Sequence, residues 1–360
     1  MKKVLLLVML CLSLTLSFSG NSISVNAFDG ETDKPFIVYT LDGTYLFEKS
    51  DVSLDDVYIS KQFKMYKIYQ IDFNEKKAYA KFVKDIKKPN VSINPYPSQV
   101  SSTNKKIGLY CTHNDESYTP TDGYDSIYGK GGIHDVAQAL QTSMEKLGID
   151  VTFNETLHIP HDYLAYSRSE PTAKKLLTEK PNALFDIHRD GVSRSYYVKN
   201  VDGQERCQVR IVVGQANPNK DENLEFALSL LSVAEQMYPW LFADIYYAKG
   251  HYNQALYNKM LLFEMGTYLV EKELVLKSVA PLANVINTAL FKTTVNENNG
   301  DLVIGGNTST QTPTVDEHLN NVAKQNKMAL NVSVLLTCVF VTIAVVAVTI
   351  PLIMQEKTKK

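Results

Sequence analysis

Two histidines and two glutamates stand out because each follows or closes a run of residues with the pattern of a buried β-strand. His113 and Glu116 follow the first run, His188 closes a second, and Glu264 closes a third. In α/β folds, ligands bind outside the carboxyl ends of the strands, where such side chains come together. The sequence therefore predicts that these four residues share one site.

The types of these residues fit a metal-dependent hydrolase. Two histidines and one glutamate form an established ligand set for catalytic zinc, and His113, Glu116 and His188 supply that set. Glu264 lies outside the ligand set, so we expect it to accept a proton from a zinc-bound water. No Gly-x-Ser-x-Gly elbow offers a serine nucleophile instead. We predict a Zn²⁺ centre, although manganese or iron would accept similar ligands.

Two further histidines compete for a place in this site. His134 stands at the start of the first predicted helix and is an alternative second ligand in place of Glu116. His161, in the sequence His-Asp-Tyr, is interpreted as a group that holds substrate or stabilises an oxyanion, with a simple loop position as the alternative. The spacing of the residues does not decide between these readings.

Three other polar residues are candidates for binding substrate. Arg168 and Arg189 carry planar guanidinium groups that suit peptide carboxylates, or they pair structurally with Asp186 or Asp190. Asn253 either lines the cleft or belongs to a structural loop.

An alternation of apolar strands and amphipathic helices must position these residues. It predicts one α/β domain over residues 105–293, with a central, mostly parallel sheet flanked by helices. A hairpin is expected across Asp202-Gly203, and Ser169 is expected to cap a helix that begins near Pro171. The predicted strands are 107–111, 150–153, 183–188, 209–213 and 260–264, and the other predicted helices are 133–147, 222–238 and 270–290.

The segment before this domain has a different pattern. Residues 28–88 alternate apolar and polar positions around a hairpin signal at 41–44, which indicates a small β-rich module. The module contains no cluster of catalytic residue types, so we interpret it as a spacer or a docking unit. Residues 89–104 are rich in Pro and Ser and are predicted to be a linker.

Both ends of the chain indicate a membrane location. Residues 1–27 have the pattern of a secretory signal peptide, or of an uncleaved N-terminal anchor. Residues 328–354 are apolar and long enough for a transmembrane helix, followed by a basic tail at 355–360. Residues 294–326 are predicted to be a flexible stalk. We expect a single C-terminal span in the cell membrane, with the catalytic domain on the extracytoplasmic side.

Composition excludes several classes of function. The 360-residue chain is 44% hydrophobic and 21% charged, with a net charge of −2, which gives no electrostatic footprint for nucleic acid. Between the two apolar ends lie two cysteines, Cys111 and Cys207. They are predicted to be packing residues, which excludes a disulfide framework and a zinc site built from several thiolates.

Several motifs in a fixed order resemble the stage II sporulation protein P family of endospore-forming bacteria over about residues 105–291. The motifs are Thr112-His113-Asn114-Asp115-Glu116-Ser117-Tyr118, His161-Asp162-Tyr163, Tyr166-Ser167-Arg168-Ser169, Asp186-Ile187-His188-Arg189-Asp190-Gly191, Val212-Val213-Gly214, Tyr252-Asn253-Gln254 and Glu264-Met265-Gly266.

The resemblance implies N-acetylmuramoyl-L-alanine amidase activity on peptidoglycan, endopeptidase activity on cross-links, and thinning of the septal wall during engulfment. It also implies two partners: stage II sporulation protein D, a lytic transglycosylase, and stage II sporulation protein M, a membrane protein. Family members are usually described with an N-terminal membrane segment, so the C-terminal span predicted here is a departure. Two alternatives stay open: a zinc carboxypeptidase or D,D-endopeptidase, and a non-catalytic wall-binding scaffold.

Overall fold

A computed structural model of the chain describes residues 34–93 and 104–294. Several predictions concern residues beyond these ranges. The signal peptide or anchor at 1–27, most of the stalk at 294–326, the transmembrane helix at 328–354 and the basic tail at 355–360 all lie outside the described residues.

The described chain contains fifteen strands, six α-helices and one 3₁₀ turn. The strands are β1 (Phe36–Tyr39), β2 (Tyr45–Lys49), β3 (Val57–Ser60), β4 (Lys64–Asp72), β5 (Lys77–Asp85), β6 (Ser92–Ile93), β7 (Lys106–Tyr110), β8 (Asp150–Asn154), β9 (Ala183–Asp190), β10 (Val198–Val201), β11 (Gln204–Cys207), β12 (Val209–Gly214), β13 (Phe242–Ala248), β14 (Met260–Thr267) and β15 (Thr293–Thr294). The helices are α1 (Thr119–Asp122), α2 (Ile133–Glu145), α3 (Ala165–Leu177), α4 (Arg194–Tyr197), α5 (Lys220–Met237) and α6 (Lys272–Phe291), and the 3₁₀ turn is Gln254–Leu256.

Eleven of these strands form one sheet in the order β2-β1-β5-β4-β3-β13-β12-β14-β9-β7-β8. Within the predicted α/β domain, β8, β7, β9 and β14 run parallel to one another, and β12 is parallel to β13. The pairing of β12 with β14 is antiparallel. The prediction of a mostly parallel central sheet flanked by helices is therefore confirmed for this part of the chain.

Helices cover the two faces of the central sheet unequally. On one face, α2, α5 and α6 share a large apolar core with strand residues such as Leu109 and Phe185. On the other face, α3 packs on a smaller cluster that includes Leu184 and Met260. Since successive strand residues point to opposite faces, Leu184 and Phe185 belong to different clusters. The second face thus leaves room for polar side chains.

The N-terminal strands do not form a separate module, contrary to the prediction. Strand β3 pairs antiparallel with β13, so β1 to β5 extend the central sheet. Strand β2 lies eight positions from β9 in the strand order, which would place it roughly 38 Å away in a flat sheet. Lys49 of β2 nevertheless lies 2.8 Å from Asp190 of β9. The N-terminal strands therefore curl over the polar face of the central sheet.

The predicted linker is partly ordered by strand pairing. Ser92–Ile93 pairs antiparallel with Thr293–Thr294, next to Val91, which is buried. The side-chain amide of Gln236 donates a hydrogen bond to the carbonyl of Val91. The remainder of this segment, residues 94–103, lies outside the described residues.

The predicted helix cap at Ser169 was wrong, and one strand of the central sheet was not predicted. Helix α3 begins at Ala165, so Ser169 lies inside the helix and does not cap it. Pro171 also lies inside this helix, where its nitrogen has no proton to donate to a backbone carbonyl. Strand β13 was missed because Asp244 and a pair of tyrosines interrupt its apolar pattern. The predicted hairpin at Asp202-Gly203 is confirmed by the pairing of β10 with β11.

Helix α6 is the helix of the described region that is long and apolar enough to cross a membrane by length and composition. It has 20 residues and a mean hydropathy of 1.5, and 67% of this apolar stretch is buried. It packs against α2 and α5 in the large core. The apolar side chains of α6 are thus largely buried in the core of the α/β domain.

Candidate metal centre

Strand β9 carries alternating polar and apolar residues through the centre of the sheet. Phe185 and Ile187 belong to the large apolar core, whereas Asp186, His188 and Asp190 point to the opposite face. All five side chains are buried. His188 was expected to close the strand, but β9 continues to Asp190. The site therefore lies on the polar face of the sheet, just inside the carboxyl end of the strand.

A tight loop after β7 brings two more polar side chains to this face. The backbone N–H and the hydroxyl of Thr112 donate to Asp186 at 2.8 and 2.6 Å, which fixes the start of the loop. Glu116 follows in a short β-bridge with Ser126. A Cβ atom on Gly131 would stand 2.1 Å from the carbonyl oxygen of Glu116, so only glycine permits this close approach.

The side chains of His113, Glu116 and His188 converge on one point. The Nδ1 atoms of His113 and His188 lie 3.1 and 3.4 Å from Oε1 of Glu116. The other carboxylate oxygen, Oε2, accepts a hydrogen bond of 2.9 Å from the backbone N–H of Arg189. One ligand atom from each of the three residues lies within 4.8 Å of the other two. This arrangement has the donor types and spacing of a three-residue metal site.

The charges of these three residues differ because their neighbours differ. Burial lowers the pKa of His113 to about 4, so its imidazole is neutral near pH 7. Burial opposes charge on His188 too, but Asp186 and Glu116 outweigh it and raise the pKa of His188 well above its usual range. The pKa of Glu116 is well below its usual range because His188 and His113 outweigh the effect of burial.

Glu264 stands next to this group on the neighbouring strand. The register of β14 with β9 pairs Glu264 with His188, and an irregularity between Glu264 and Thr267 follows, with Gly266 at a φ of 74°. Glu264 was expected to close its strand, but β14 continues through this irregularity to Thr267. Among the described residues, no hydrogen-bond partner contacts its buried Oε2 atom. Burial raises the pKa of Glu264 to about 7; Lys49 opposes this shift and Asp190 adds to it.

Comparison with known proteins identifies the family. The sequence profile of the family described as Stage II sporulation protein P matches residues 33–287, which is more than half of the chain. The chain belongs to the stage II sporulation protein P family. The match begins at the N-terminal strands, so the family region includes β1 to β5 as well as the residues of the candidate metal centre.

A curated relative in the stage II sporulation protein P family extends this finding. The chain is 30% identical over 189 residues to the Stage II sporulation protein P of Bacillus subtilis (strain 168), an alignment that covers 47% of each chain. The chain thus spans about half the length of the curated relative that it matches.

The solved structures that match about half of this chain are amidases with low sequence identity and low TM-scores. The CwlD amidase from Clostridioides difficile, in complex with the GerS lipoprotein, has 16% identity and a TM-score of 0.37, covering 51% of this chain and 95% of that one. The N-acetylmuramyl-L-alanine amidase Ami1 from Mycobacterium smegmatis has 15% identity and a TM-score of 0.36, covering 52% and 97%. Likeness at this level carries no argument about the present chain.

The two competing histidines of this stage II sporulation protein P family member lie in different places. His134 is buried beside Phe153, with Nε2 3.2 Å from Asn114, and the group of three ligand atoms does not include it. The ring of His161 stacks on that of His113 at 3.8 Å, and its Nδ1 lies 3.1 Å from Asp115. His161 therefore borders the candidate metal centre, whereas His134 contacts the loop behind it.

The three residues predicted to bind substrate make hydrogen bonds within the protein. Arg168 donates to the carbonyl oxygens of His158 and Pro160 and to Asp162. Arg189 donates to the carbonyl oxygens of Ser117 and Asp125, which ties β9 to the loop that carries Glu116. The amide of Asn253 donates to Tyr166 and Ser169 of α3. The carboxylate that pairs with Arg168 is therefore that of Asp162.

Sequence reasoning missed two residues that touch the site. Oδ1 of Asp186 lies 3.0 Å from Nε2 of His188. The two atoms form an ion pair, but their angles do not meet the criteria for a hydrogen bond. The position of Asp186 two residues before His188 in a strand was the available signal, because such residues share a face. Lys49 lies 3.4 Å from Glu264, and no feature of its own sequence surroundings indicated this contact.

Proposed function

We propose that the chain is a zinc-dependent peptidoglycan hydrolase that cleaves the amide between N-acetylmuramic acid and the L-alanine of the stem peptide. The observation that carries the proposal is the convergence of His113, Glu116 and His188 beside Glu264. Membership of the stage II sporulation protein P family supports the choice of cell wall as substrate. Cleavage of cross-links by the same site is a further activity that we include in the proposal.

The donor set fits zinc. Two imidazole nitrogens and one carboxylate oxygen are typical ligands of a catalytic zinc that keeps one position open. Zn²⁺ bound by these residues would supply a Lewis acid and a water of lowered pKa. Asp186 contacts the second ring nitrogen of His188, which is how outer carboxylates orient a ligating histidine.

Glu264 is the proposed general base. Lys49 contacts its Oε1 atom, while Oε2 has no hydrogen-bond partner among the described residues and is available to accept a proton. In the proposed reaction the oxygen of water bonds to the amide carbon, and the water proton passes to Glu264. The carbon–nitrogen bond then breaks, and Glu264 returns that proton to the nitrogen of the departing L-alanine. His161, beside His113, is the proposed contact for the substrate oxygen.

We propose that the hydrolase acts outside the cell membrane on septal wall during engulfment. The apolar residues 328–354 support a membrane anchor, and residues 1–27 support export. The family relationship supports stage II sporulation proteins D and M as partners.

The products released from purified cell-wall sacculi test the proposed function. The full chain in detergent should release stem peptides with a free N-terminal L-alanine and leave glycan strands with intact lactyl groups. Release of free D-alanine, or of cross-link fragments alone, would instead identify a carboxypeptidase or a D,D-endopeptidase. Binding to sacculi without any release would contradict catalysis and favour the wall-binding scaffold.

A further inference from the structure

We infer that Lys49, from strand β2, is a positioning residue that holds the carboxylate of Glu264 in place beside the metal centre. The inference rests on the proposed function, in which Glu264 is the general base. It means that the N-terminal strands complete the site, although Lys49 lies 64 residues before His113, the first predicted metal ligand in the sequence.

The contacts of Lys49 fix its ammonium group at two points. Its Nζ atom lies 2.8 Å from Oδ1 of Asp190 and 3.4 Å from Oε1 of Glu264, and the side chain is only 14% exposed. The neighbouring Glu48 accepts a hydrogen bond of 3.0 Å from the backbone N–H of Ser193. Strand β2 is thus attached through Glu48 and Lys49 to the last residue of β9 and to the segment that follows it.

Asp190 is itself held by groups on other elements. Its Oδ2 atom accepts hydrogen bonds from Arg210 at 2.7 Å and from the hydroxyl of Tyr197 at 2.9 Å. Arg210 is fully buried and is fixed in turn by two hydrogen bonds to Asp244. Because Asp190 has little freedom to move, it gives Lys49 a fixed anchor from which to reach Glu264.

The orientation of Glu264 follows from the contact with Lys49. The ammonium group of Lys49 contacts Oε1, and the second oxygen, Oε2, has no hydrogen-bond partner among the described residues. Asp190 and Glu116 both repel the negative charge of Glu264; Lys49, which contacts Oε1, offsets them most, and His188 adds to this offset. Burial opposes the charge of Lys49, but Asp190 and Glu264 outweigh it and keep the pKa of Lys49 above its usual range.

Substitutions at Lys49 test this inference in the full chain. Lys49→Gln removes the charge, and we expect kcat on sacculi to fall roughly 10²-fold, as for a catalytic group misplaced by about 1 Å. KM and the zinc content should stay near wild-type values, since Lys49 contacts none of the three ligands in the described structure. Lys49→Arg keeps the charge with a different shape, so its kcat should be intermediate.

A matched control and a second background separate positioning from a general role in folding. Lys67→Gln removes a partly exposed lysine of β4 that pairs with Asp55 in the loop between β2 and β3, and kcat should not change. In an enzyme that already carries Glu264→Gln, adding Lys49→Gln should lower the residual activity no further, because the two residues act as a unit.

The outcomes distinguish failure of this inference from failure of the proposed function. A folded, zinc-loaded Lys49→Gln enzyme with wild-type kcat would overturn the inference, as would an equal loss in the Glu264→Gln background. If Lys49→Gln does not fold, Lys49→Arg decides: a reduced kcat at unchanged KM supports the inference, and an unchanged kcat overturns it. An inactive wild-type chain, or a Glu264→Gln chain with wild-type activity, would instead contradict the proposed function.

Discussion

His188 and Glu264 occupy paired positions on the neighbouring parallel strands β9 and β14. Both side chains are buried, and they come from positions 76 residues apart in the sequence. Strand pairing sets their relative position, which is more rigid than a pair of loops would allow. A proposed metal ligand and the proposed base are therefore held side by side by the hydrogen bonds of the central sheet.

Replacement of Glu264 by glutamine tests the assignment of the base. Glutamine keeps the size of the side chain but does not accept a proton near neutral pH, so amide cleavage should fall by a factor on the order of 10² to 10⁴. The zinc content should be unchanged, because Glu264 lies outside the group of three ligands. Activity on sacculi and metal analysis of the same sample measure both effects.

The control for this substitution is Glu235→Gln. Glu235 is largely exposed on α5 and pairs with Lys88, so its replacement should leave activity and zinc content at wild-type values. Wild-type activity in the Glu264→Gln enzyme would show that another group accepts the proton.

The sequence was sufficient to predict most strands of the central sheet and the convergence of His113, Glu116 and His188 there. His188 and Glu264 lie in apolar strands whose pattern identifies them, and His113 and Glu116 follow a third such strand. Lys49 could not be predicted in this way, because its contact depends on how far the sheet curls. Strand β2 comes near β9 only through the accumulated curvature of many strands, which no local pattern records.

Asp186 should strengthen metal binding through His188. Asp186→Asn keeps the shape of the side chain and removes the charge that lies 3.0 Å from Nε2 of His188. We expect the affinity for zinc to fall about 10- to 100-fold, measured by competition with a chelating indicator. Asp150→Asn, at an exposed residue that pairs with Lys106, should have no effect. An unchanged affinity in Asp186→Asn would contradict the orienting role.

Zinc binding should release a proton near pH 7. Because the pKa of His188 is raised well above its usual range, the free protein carries a proton there, and a ligating imidazole must lose it. His113, with a pKa of about 4, contributes none at this pH. The affinity should therefore rise with pH until the pKa of His188 is passed. Calorimetry in buffers of different ionisation enthalpy measures the release; binding without it would contradict the protonation state given to His188.

The N-terminal strands should unfold together with the α/β domain. Phe47 of β2 is fully buried, stacks on Tyr58 and packs near Tyr246 of β13. Phe47→Ala should lower the free energy of unfolding by about 3–5 kcal/mol in a single transition. Phe82→Ala, at a side chain that is 50% exposed, should cost clearly less. Two separate thermal transitions in the wild-type chain would instead indicate an independent module.

The measurement that tests the central claim most directly is the release of stem peptides from sacculi before and after metal removal. The full chain should lose this activity when a chelator removes the metal and regain it when Zn²⁺ is added back. A His188→Ala chain should not regain it, because one of the three converging ligands is missing. Full release of stem peptides by the metal-free chain would contradict the account.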